Sequence, residues 1–296
     1  MNNLATDYMN DAIDRADKIS GVISGTTKKP DYHSQEGAKV PRLTYSIAKI
    51  LLNKSPLHAW HRHPLLGGQS IKPSRAMDIG SIGHDLLLGG GDPIDVLDYD
   101  SFRTKLAQEE KAQSYTDGHI PVLRKDYEKI EFIVGKVNEQ LLIYCPEFFE
   151  IHENEFPVIW TAENGVECQS KYDWMSSKTG LMIDLKFTTD SSPDKCVKKI
   201  IDMGYDVQEA FYTEAFNKTY PDMAGRTNWK FIFIETEEPH AISVIETDST
   251  FKELGRMKMN YALDAWKACL ESNIWPGYGR TTVEAPGWAV YKMGEK

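Results

Sequence analysis

Two acids and a lysine stand in adjacent strand-like segments, with a spacing that suits phosphodiester hydrolysis. In the segment Leu181–Thr188 side chains alternate between two faces, so Asp184 and Lys186 lie side by side on one surface. The preceding strand-like segment, Gly165–Met175, carries Asp173. A five-residue turn between the two segments predicts a hairpin that brings Asp173 near Asp184. The sequence therefore predicts two converging carboxylates with an ammonium group beside them.

This arrangement predicts a hydrolytic site that depends on Mg²⁺, with Mn²⁺ as an alternative ion. Carboxylate oxygens bind Mg²⁺, which keeps bound waters and accepts phosphate oxygens. The metal stabilises charge on the phosphate and lowers the pKa of a bound water. Lys186 would orient or deprotonate that water, or stabilise the developing charge. An acid and a lysine two residues apart on a strand also occur as a plain surface ion pair, so the pattern alone leaves that interpretation open.

The surrounding patterns predict the elements that position these residues. Helices are predicted from Thr44 or Ser46 to Leu52, from Ser55-Pro56 onward, and over Ala76–Leu88, 101–143, Pro193–Lys218 and Phe251–Glu271. Strands are predicted over Phe156–Thr161, Gly165–Met175, Leu181–Thr188, Asn228–Glu235 and His240–Thr247, and the tail Trp275–Tyr291 is predicted to be irregular with room for a short strand. Helices, three strands, a helix, two strands and a helix predict an α/β or α+β layer fold, with a mixed central sheet flanked by helices.

The composition and length indicate a globular protein with a short N-terminal addition. The 296 residues are 41% hydrophobic and 26% charged. Residues 1–41 are predicted to form a helix and a flexible arm, and residues 42–296 one domain. No apolar run approaches the roughly 18 residues of a membrane span, and the N-terminus is polar, so we expect a cytoplasmic protein. Its four cysteines form no CxxC pair, which argues against a zinc knuckle, an iron–sulfur site or a disulfide framework.

A basic segment stands out in an acidic chain. The net charge is −10, yet residues 37–77 contain no Asp or Glu and carry a charge of +7. The candidates for phosphate contact in this segment are Lys49, Lys54, Arg62, Lys72 and Arg75. Chance segregation of charge on an ordinary surface remains the alternative. His61 and His63 have a spacing that a metal pair also shows, but DNA contact or plain surface is the favoured interpretation because no third ligand is near in sequence.

The segments around the two acids resemble the core of the PD-(D/E)xK nucleases. Within that group, the chain resembles the nuclease domain of exodeoxyribonuclease VIII, the RecE family of phage recombination exonucleases. The resemblance rests on Cys168–Met175 and Leu181–Thr189, on Asp78–His84, on Val207–Tyr212, on Ser55-Pro56 followed by Trp60, and on Trp275–Tyr278 and Pro286–Ala289. It covers roughly residues 44–290. Tyr172 replaces the proline of the name-giving motif, and the second acid is Asp184 rather than glutamate.

The resemblance implies roles for individual residues on a restriction-endonuclease-like core. Asp173 and Asp184 would ligate the metal, together with His84 and the Leu185 carbonyl, and Lys186 would act on the water. Gln208 and Tyr212 lie four residues apart on one helix face and would reach the scissile phosphate or hold Lys186.

Ordinary structural roles remain the alternative for several of these residues. His84 could be an ordinary core histidine, with Gly80 and Gly83 marking close helix packing. Tyr212 could be a packed aromatic with Gln208 as its polar neighbour. Glu155 is a weaker candidate for a further metal ligand or for a carboxylate that supports one.

The resemblance also implies a biological task. It implies an exonuclease that digests linear duplex DNA from the 5′ end, forms a ring-shaped oligomer and cooperates with a single-strand annealing protein. A ring would reconcile the acidic chain with DNA if the basic segment lined its channel. The alternatives are a nuclease of this fold with a structure-specific or single-stranded substrate, and a catalytically silent domain that binds DNA or a partner.

Overall fold

The structure, a computed structural model, describes residues 35, 37–69 and 73–294. The helices are α1 Tyr45–Asn53, α2 Pro56–Arg62, α3 Arg75–Leu88, α4 Lys105–Thr116, α5 Arg124–Tyr144, α6 Pro193–Met203, α7 Tyr205–Thr219, α8 Ser249–Ser272 and α9 Gly287–Gly294. The strands are β1 Leu43–Thr44, β2 Ile94–Leu97, β3 Ile120–Leu123, β4 Glu153–Thr161, β5 Glu167–Met175, β6 Leu181–Thr188, β7 Asn228–Glu235 and β8 Ile242–Ile245. The predicted arm, residues 1–41, falls mostly outside the described residues, so the division of the chain into arm and domain stays a prediction.

The central sheet is mixed, as the sequence predicts. Strands β4 and β5 pair antiparallel along their length, β6 and β7 pair parallel, and β8 completes the sheet antiparallel to β7. The other edge of β5 is shared between two strands. Its first residues pair with β1, and its last two residues, Trp174 and Met175, pair with β6. A gap therefore opens along β5 between β1 and β6.

Two hydrophobic cores cover the two faces of this sheet, which explains the alternation in β6. Ile183 and Leu185 face a core that they share with α5, whereas Met182 faces a core built with α1, α6, α7 and α8. The surface that carries Asp184 and Lys186 is therefore not solvent-facing, because helices cover it as well. Asp184 is only 3% exposed. No helix in the described part of the chain has the length and apolar character that crossing a bilayer requires.

Three predicted elements are wrong in their details. The predicted helix 101–143 is two helices separated by β3, because Gly118 adopts φ +79° after α4 and an apolar four-residue strand follows. Strand β3 pairs parallel with β2, which the sequence analysis misses. The predicted helix Pro193–Lys218 is likewise interrupted at Gly204, whose φ is +70°. The tail ends in α9 rather than in a strand.

Candidate active site

The two predicted acids face each other where β5 and β6 separate. The formed pairs are Trp174 with Ile183 and Met175 with Met182. One further step in this register would pair Asp173 with Asp184, but that pair is not formed. Regular pairing of the two strands therefore ends at the acids.

Side chains replace the missing strand partner at the next residue of β6. The Leu185 N–H donates to Asp173 Oδ2 over 3.4 Å. The Leu185 carbonyl accepts from His84 Nε2 at 3.0 Å. The other ring nitrogen of His84, Nδ1, lies 3.4 Å from Asp173 Oδ2. Three predicted metal ligands, namely His84, Asp173 and the Leu185 carbonyl, are thus brought together around one stretch of main chain.

The position of His84 depends on a close approach between α3 and β6. A Cβ atom on the preceding residue, Gly83, would lie 2.1 Å from the Phe187 ring. Only glycine permits this packing without movement of the helix or of the ring. The rings of His84 and Phe187 lie 5.9 Å apart, so the imidazole is supported from the side as well.

Lys186 and Asp184 form a buried pair, and Gln208 makes a hydrogen bond with each of them. The Lys186 Nζ lies 2.5 Å from Asp184 Oδ2. The Gln208 amide donates from Nε2 to Asp184 Oδ1 at 2.5 Å and accepts at Oε1 from Lys186 Nζ at 3.1 Å. Gln208 thus fixes the orientation of both groups.

The electrostatics of this pair keep Lys186 charged. Burial lowers the pKa of Lys186, but Asp184, Tyr205 and Asp173 together outweigh burial, so its pKa is raised above the ordinary value. The ammonium also lies 4.3 Å from the centre of the Tyr205 ring. Burial raises the pKa of Asp184, with Lys186 opposing the rise and Asp173 adding to it. Without a metal, Lys186 is therefore a proton donor and a positive charge rather than a free base.

A divalent cation fits this donor set. The buried Asp184 Oδ2 lies 2.5 Å from the Lys186 ammonium, so positive charge already stands against this oxygen. A buried carboxylate is costly unless a cation or hydrogen-bond donors satisfy it. Carboxylate and carbonyl oxygens with one imidazole nitrogen suit Mg²⁺ or Mn²⁺.

Glu155 also belongs to the site, although the sequence analysis gives it little weight. One ligand atom from each of His84, Glu155 and Asp173 lies within 4.8 Å of the other two. The Glu155 carboxylate contacts the Lys171 ammonium. Asp184 is not a member of this triad, since its carboxylate is turned toward Lys186 and Gln208.

Tyr212 lies one helical turn beyond Gln208 on α7. It is 7% exposed and packs against the rings of Tyr45, Tyr172 and Trp229. Its carbonyl accepts from the Tyr172 hydroxyl at 2.7 Å. The structure therefore places its ring within a cluster of aromatic side chains, and its role at the site stays a prediction.

The basic segment divides into three parts. Lys49 is half-buried on α1, where burial and the nearby Lys186 charge lower its pKa. Lys54 and Arg62 line an open groove of about 560 Å³, together with apolar and aromatic side chains. Arg75 pairs with Asp126 at 2.8 Å, and Lys72 lies outside the described residues.

The expectation of a surface position or DNA contact is wrong for His63. It is fully buried, with Nε2 3.0 Å from the Arg42 carbonyl and Nδ1 accepting from the Leu65 N–H. His61, by contrast, lines the groove with Lys54 and Arg62.

Sequence reasoning misses two residues that touch the charged groups of the site. Tyr205 precedes Gln208 by three positions, so helical spacing puts both on one face of α7. Lys171 precedes Asp173 by two positions, so strand alternation would put both on one face of β5. Both spacings, three residues on a helix and two residues on a strand, are present in the sequence.

Comparisons with known proteins agree with this fold. A family model described as a PDDEXK-like domain of unknown function (DUF3799) matches residues 51–283. No curated protein matches the sequence. A crystal structure of a candidate exonuclease from Eubacterium rectale has a TM-score of 0.57 and 15% identity, covering 91% of this chain and 99% of that chain. A phage-related exonuclease from Haemophilus somnus 129PT has a TM-score of 0.32 and 11% identity, covering 79% of this chain and 96% of that chain.

At such low identity, the likeness to the Eubacterium rectale protein shows a shared fold and nothing about activity. The TM-score for the Haemophilus somnus protein is too low to show even a shared fold. The family match is of a different kind, because it spans most of the chain and includes Asp173, Asp184, Lys186 and Gln208. It confirms the predicted resemblance to the PD-(D/E)xK group and the predicted fold class. The chain belongs to the DUF3799 family of PDDEXK-like domains.

Proposed function

We propose that the protein is a deoxyribonuclease that uses Mg²⁺, or Mn²⁺ in its place, to hydrolyse phosphodiester bonds at the ends of linear duplex DNA. The observation that carries this proposal is the convergence of Asp173, His84 and the Leu185 carbonyl next to the buried pair of Asp184 and the charged Lys186. This is the donor set for a hard divalent cation with an ammonium group next to it.

The residues take the following roles in this proposal. Asp173, Asp184, His84 and the Leu185 carbonyl hold the metal, which supplies charge stabilisation and a more acidic bound water. Lys186, kept protonated by Asp184, stabilises the negative charge that develops on the phosphate. Gln208 positions both Asp184 and Lys186 through its two hydrogen bonds. Tyr212 packs against the rings of Tyr172 and Trp229 and would hold α7 in place.

The DNA would reach the site along the basic segment. Lys49 lies close enough to Lys186 for the two charges to interact, and Lys54 follows directly after the last residue of the same helix. Lys54 and Arg62 then continue the positive charge along the groove. These three cations supply the backbone contacts that an acidic protein needs to hold DNA, with Lys72 and Arg75 as weaker candidates.

The remaining proposals rest on the family resemblance. Digestion would run 5′ to 3′, in phage-type recombination, within the cytoplasm of a bacterial host. The active form would be a ring-shaped homo-oligomer that hands its single-stranded product to an annealing protein. Basic surface would then line the channel, and acidic surface would face outward.

A nuclease assay with Asp184→Asn tests the central proposal. We expect the wild-type protein to degrade linear duplex DNA with Mg²⁺ and to lose activity with a chelator. Asp184→Asn should lower the rate by roughly a hundredfold or more, since several kcal/mol of charge stabilisation is removed. Asp202→Asn, which changes an exposed aspartate, serves as the matched control.

Substrate shape separates the proposed activity from its alternatives. A DNA-end exonuclease spares covalently closed circles and degrades the same DNA after linearisation. Equal cleavage of circles would replace the exonuclease by an endonuclease of this fold. A wild-type protein that is inactive on duplex and single-stranded DNA with either metal would overturn the nuclease proposal altogether.

A further inference from the structure

Three carboxylates stand in one row across three adjacent strands. The β4–β5 register pairs Asn154 with Trp174 and Phe156 with Tyr172, so Glu155 lies opposite Asp173. The β5–β6 register places Asp173 opposite Asp184 in the same way. Neither of these two acid pairs is formed as a ladder pair. The row Glu155–Asp173–Asp184 therefore crosses the sheet where its regular pairing fails on both sides of Asp173.

In strands β4 and β5, the alternation of side chains between the two faces of the sheet is interrupted at this row. Tyr172 belongs to one hydrophobic core and Trp174 to the opposite core, although residues two apart on a regular strand share a face. On β4 the matching irregularity is the backbone of Glu155, with φ +49°. Glu155 and Asp173 therefore leave both cores and turn toward His84, within 4.8 Å of it and of each other.

Like charges in facing strand positions destabilise a sheet unless a cation lies between them. The Glu155 and Asp173 side chains are only 16% and 17% exposed, so water screens them weakly. The Lys171 ammonium contacts Glu155 and supplies one positive charge. At the far end of the row, the buried Asp184 carboxylate is already paired with Lys186 and Gln208. Its other end thus holds two carboxylates close together, with the Lys171 ammonium against Glu155 and His84 against Asp173.

We propose that Glu155 is a further ligand for the divalent cation of this site, and that Lys171 is its counter-ion when the cation is absent. The inference rests on the proposed function, because it concerns the same cation. A carboxylate oxygen of Glu155 joins Asp173 and His84 as a donor. The cation and the Lys171 ammonium compete for the same carboxylate, so binding of one displaces the other.

This competition predicts opposite effects for two neighbouring substitutions. Glu155→Gln keeps the size of the side chain and removes its charge, so Mn²⁺ binding should weaken by at least about tenfold. Lys171→Met keeps the length of the side chain and removes the competitor, so Mn²⁺ binding should become tighter. A role of the Glu155–Lys171 pair in folding alone would not produce effects of opposite sign.

The experiment is calorimetric titration of the full chain with Mn²⁺ alone, without DNA. Glu163→Gln, an exposed glutamate in the turn between β4 and β5, is the matched control and should bind as the wild type does. The unfolding temperature gives a second measurement. Mn²⁺ should raise it less in Glu155→Gln and more in Lys171→Met than in the wild-type protein.

Asp184→Asn separates a failure of this inference from a failure of the proposed function. If Asp184→Asn loses Mn²⁺ while Glu155→Gln binds like the wild type, the role of Glu155 is refuted and the metal site stands. Weaker binding by Lys171→Met would refute the counter-ion role. If the wild-type protein binds no Mn²⁺, both the metal-dependent function and the inference fall together.

Discussion

The Gln208 amide joins helix α7 to Asp184, the most deeply buried acid of the site, through a hydrogen bond of 2.5 Å. The same amide accepts from Lys186, so one neutral side chain sets the geometry of both charged groups. Its position depends on the break at Gly204, after which α7 starts in a new direction with Tyr205 and Gln208 facing β6. A helix outside the sheet thus holds the buried pair of Asp184 and Lys186 in place.

Gln208→Ala should therefore lower both stability and activity. The change leaves Asp184 and Lys186 without their amide partners, at a cost of about 1–3 kcal/mol in the free energy of unfolding. Loss of this support should also lower the rate of DNA hydrolysis by roughly 10- to 100-fold. Urea unfolding and initial rates measure the two effects.

Gln140→Ala is the matched control for that experiment. Gln140 lies on α5, and its amide also makes partly buried hydrogen bonds with both of its ends. It donates to the His240 carbonyl and accepts from the Ile242 N–H. It should cost stability without a change in rate per folded molecule. Equal loss of activity in both variants would mean that Gln208 matters only for folding.

Gly83→Ala should disturb the site through the backbone of α3. The new methyl group would meet the Phe187 ring at 2.1 Å, so the ring or the helix must shift, at a cost of about 1–3 kcal/mol. Because His84 follows directly, Mn²⁺ affinity should fall as well. Gly80→Ala on the same helix meets nothing within 4 Å and should be neutral or stabilise by up to about 1 kcal/mol.

A second substitution tests the cause of the Gly83→Ala effect. Phe187→Ala in the same chain makes room for the methyl group and should recover part of the Mn²⁺ affinity. If the double variant binds Mn²⁺ no better than Gly83→Ala, the contact with Phe187 does not set the position of His84.

The groove cations should contribute to DNA binding through charge. Replacing Lys54 and Arg62 by glutamine should weaken binding to duplex DNA and lower the slope of log affinity against log salt by about 2. The measurement is fluorescence anisotropy with Ca²⁺ in place of Mg²⁺ over a range of salt concentrations. Lys105→Gln with Lys136→Gln removes two exposed charges elsewhere and serves as the control. An unchanged slope in the groove variant would remove this surface from the DNA path.

His63 should make stability depend on pH in the weakly acidic range. Burial lowers the pKa of this imidazole, so the unfolded chain takes up the proton before the folded chain does as the pH falls. Stability is therefore complete above about pH 6.5 and is lost as the pH falls below it. Unfolding in urea at pH 7.5 and 5.5 should show a smaller loss for His63→Gln than for the wild type. The same loss in both proteins would contradict this role of His63.

The sequence predicts much of the site because most of it follows regular periods. Alternation along β6 places Asp184 beside Lys186, and the short turn before it places Asp173 across from them. Strand alternation does not predict the direction of the Glu155 side chain, because the backbone of this residue has left-handed geometry, with φ +49°. Its place beside Asp173 follows from a local irregularity that no period encodes.

The fold shows the same division between regular and irregular parts. The long strands β5, β6 and β7 are predicted within a residue or two at each end. Strands β2 and β3 have four residues each and, among the strands that the structure describes, pair only with each other. Their apolar runs are too short to be told from parts of a helix. The burial of Lys186 depends on α7 crossing that face of β6, a tertiary contact that the spacing of residues does not reveal.

The Leu185 peptide has a consequence for how the protein can be observed. Its N–H donates to the Asp173 carboxylate instead of to a neighbouring strand, so this proton reports directly on that carboxylate. In a spectrum of amide resonances, Leu185 should shift with each addition of a cation, and its hydrogen exchange should change speed. A single backbone position would then allow occupancy of the site to be followed in solution, without substrate and without catalysis.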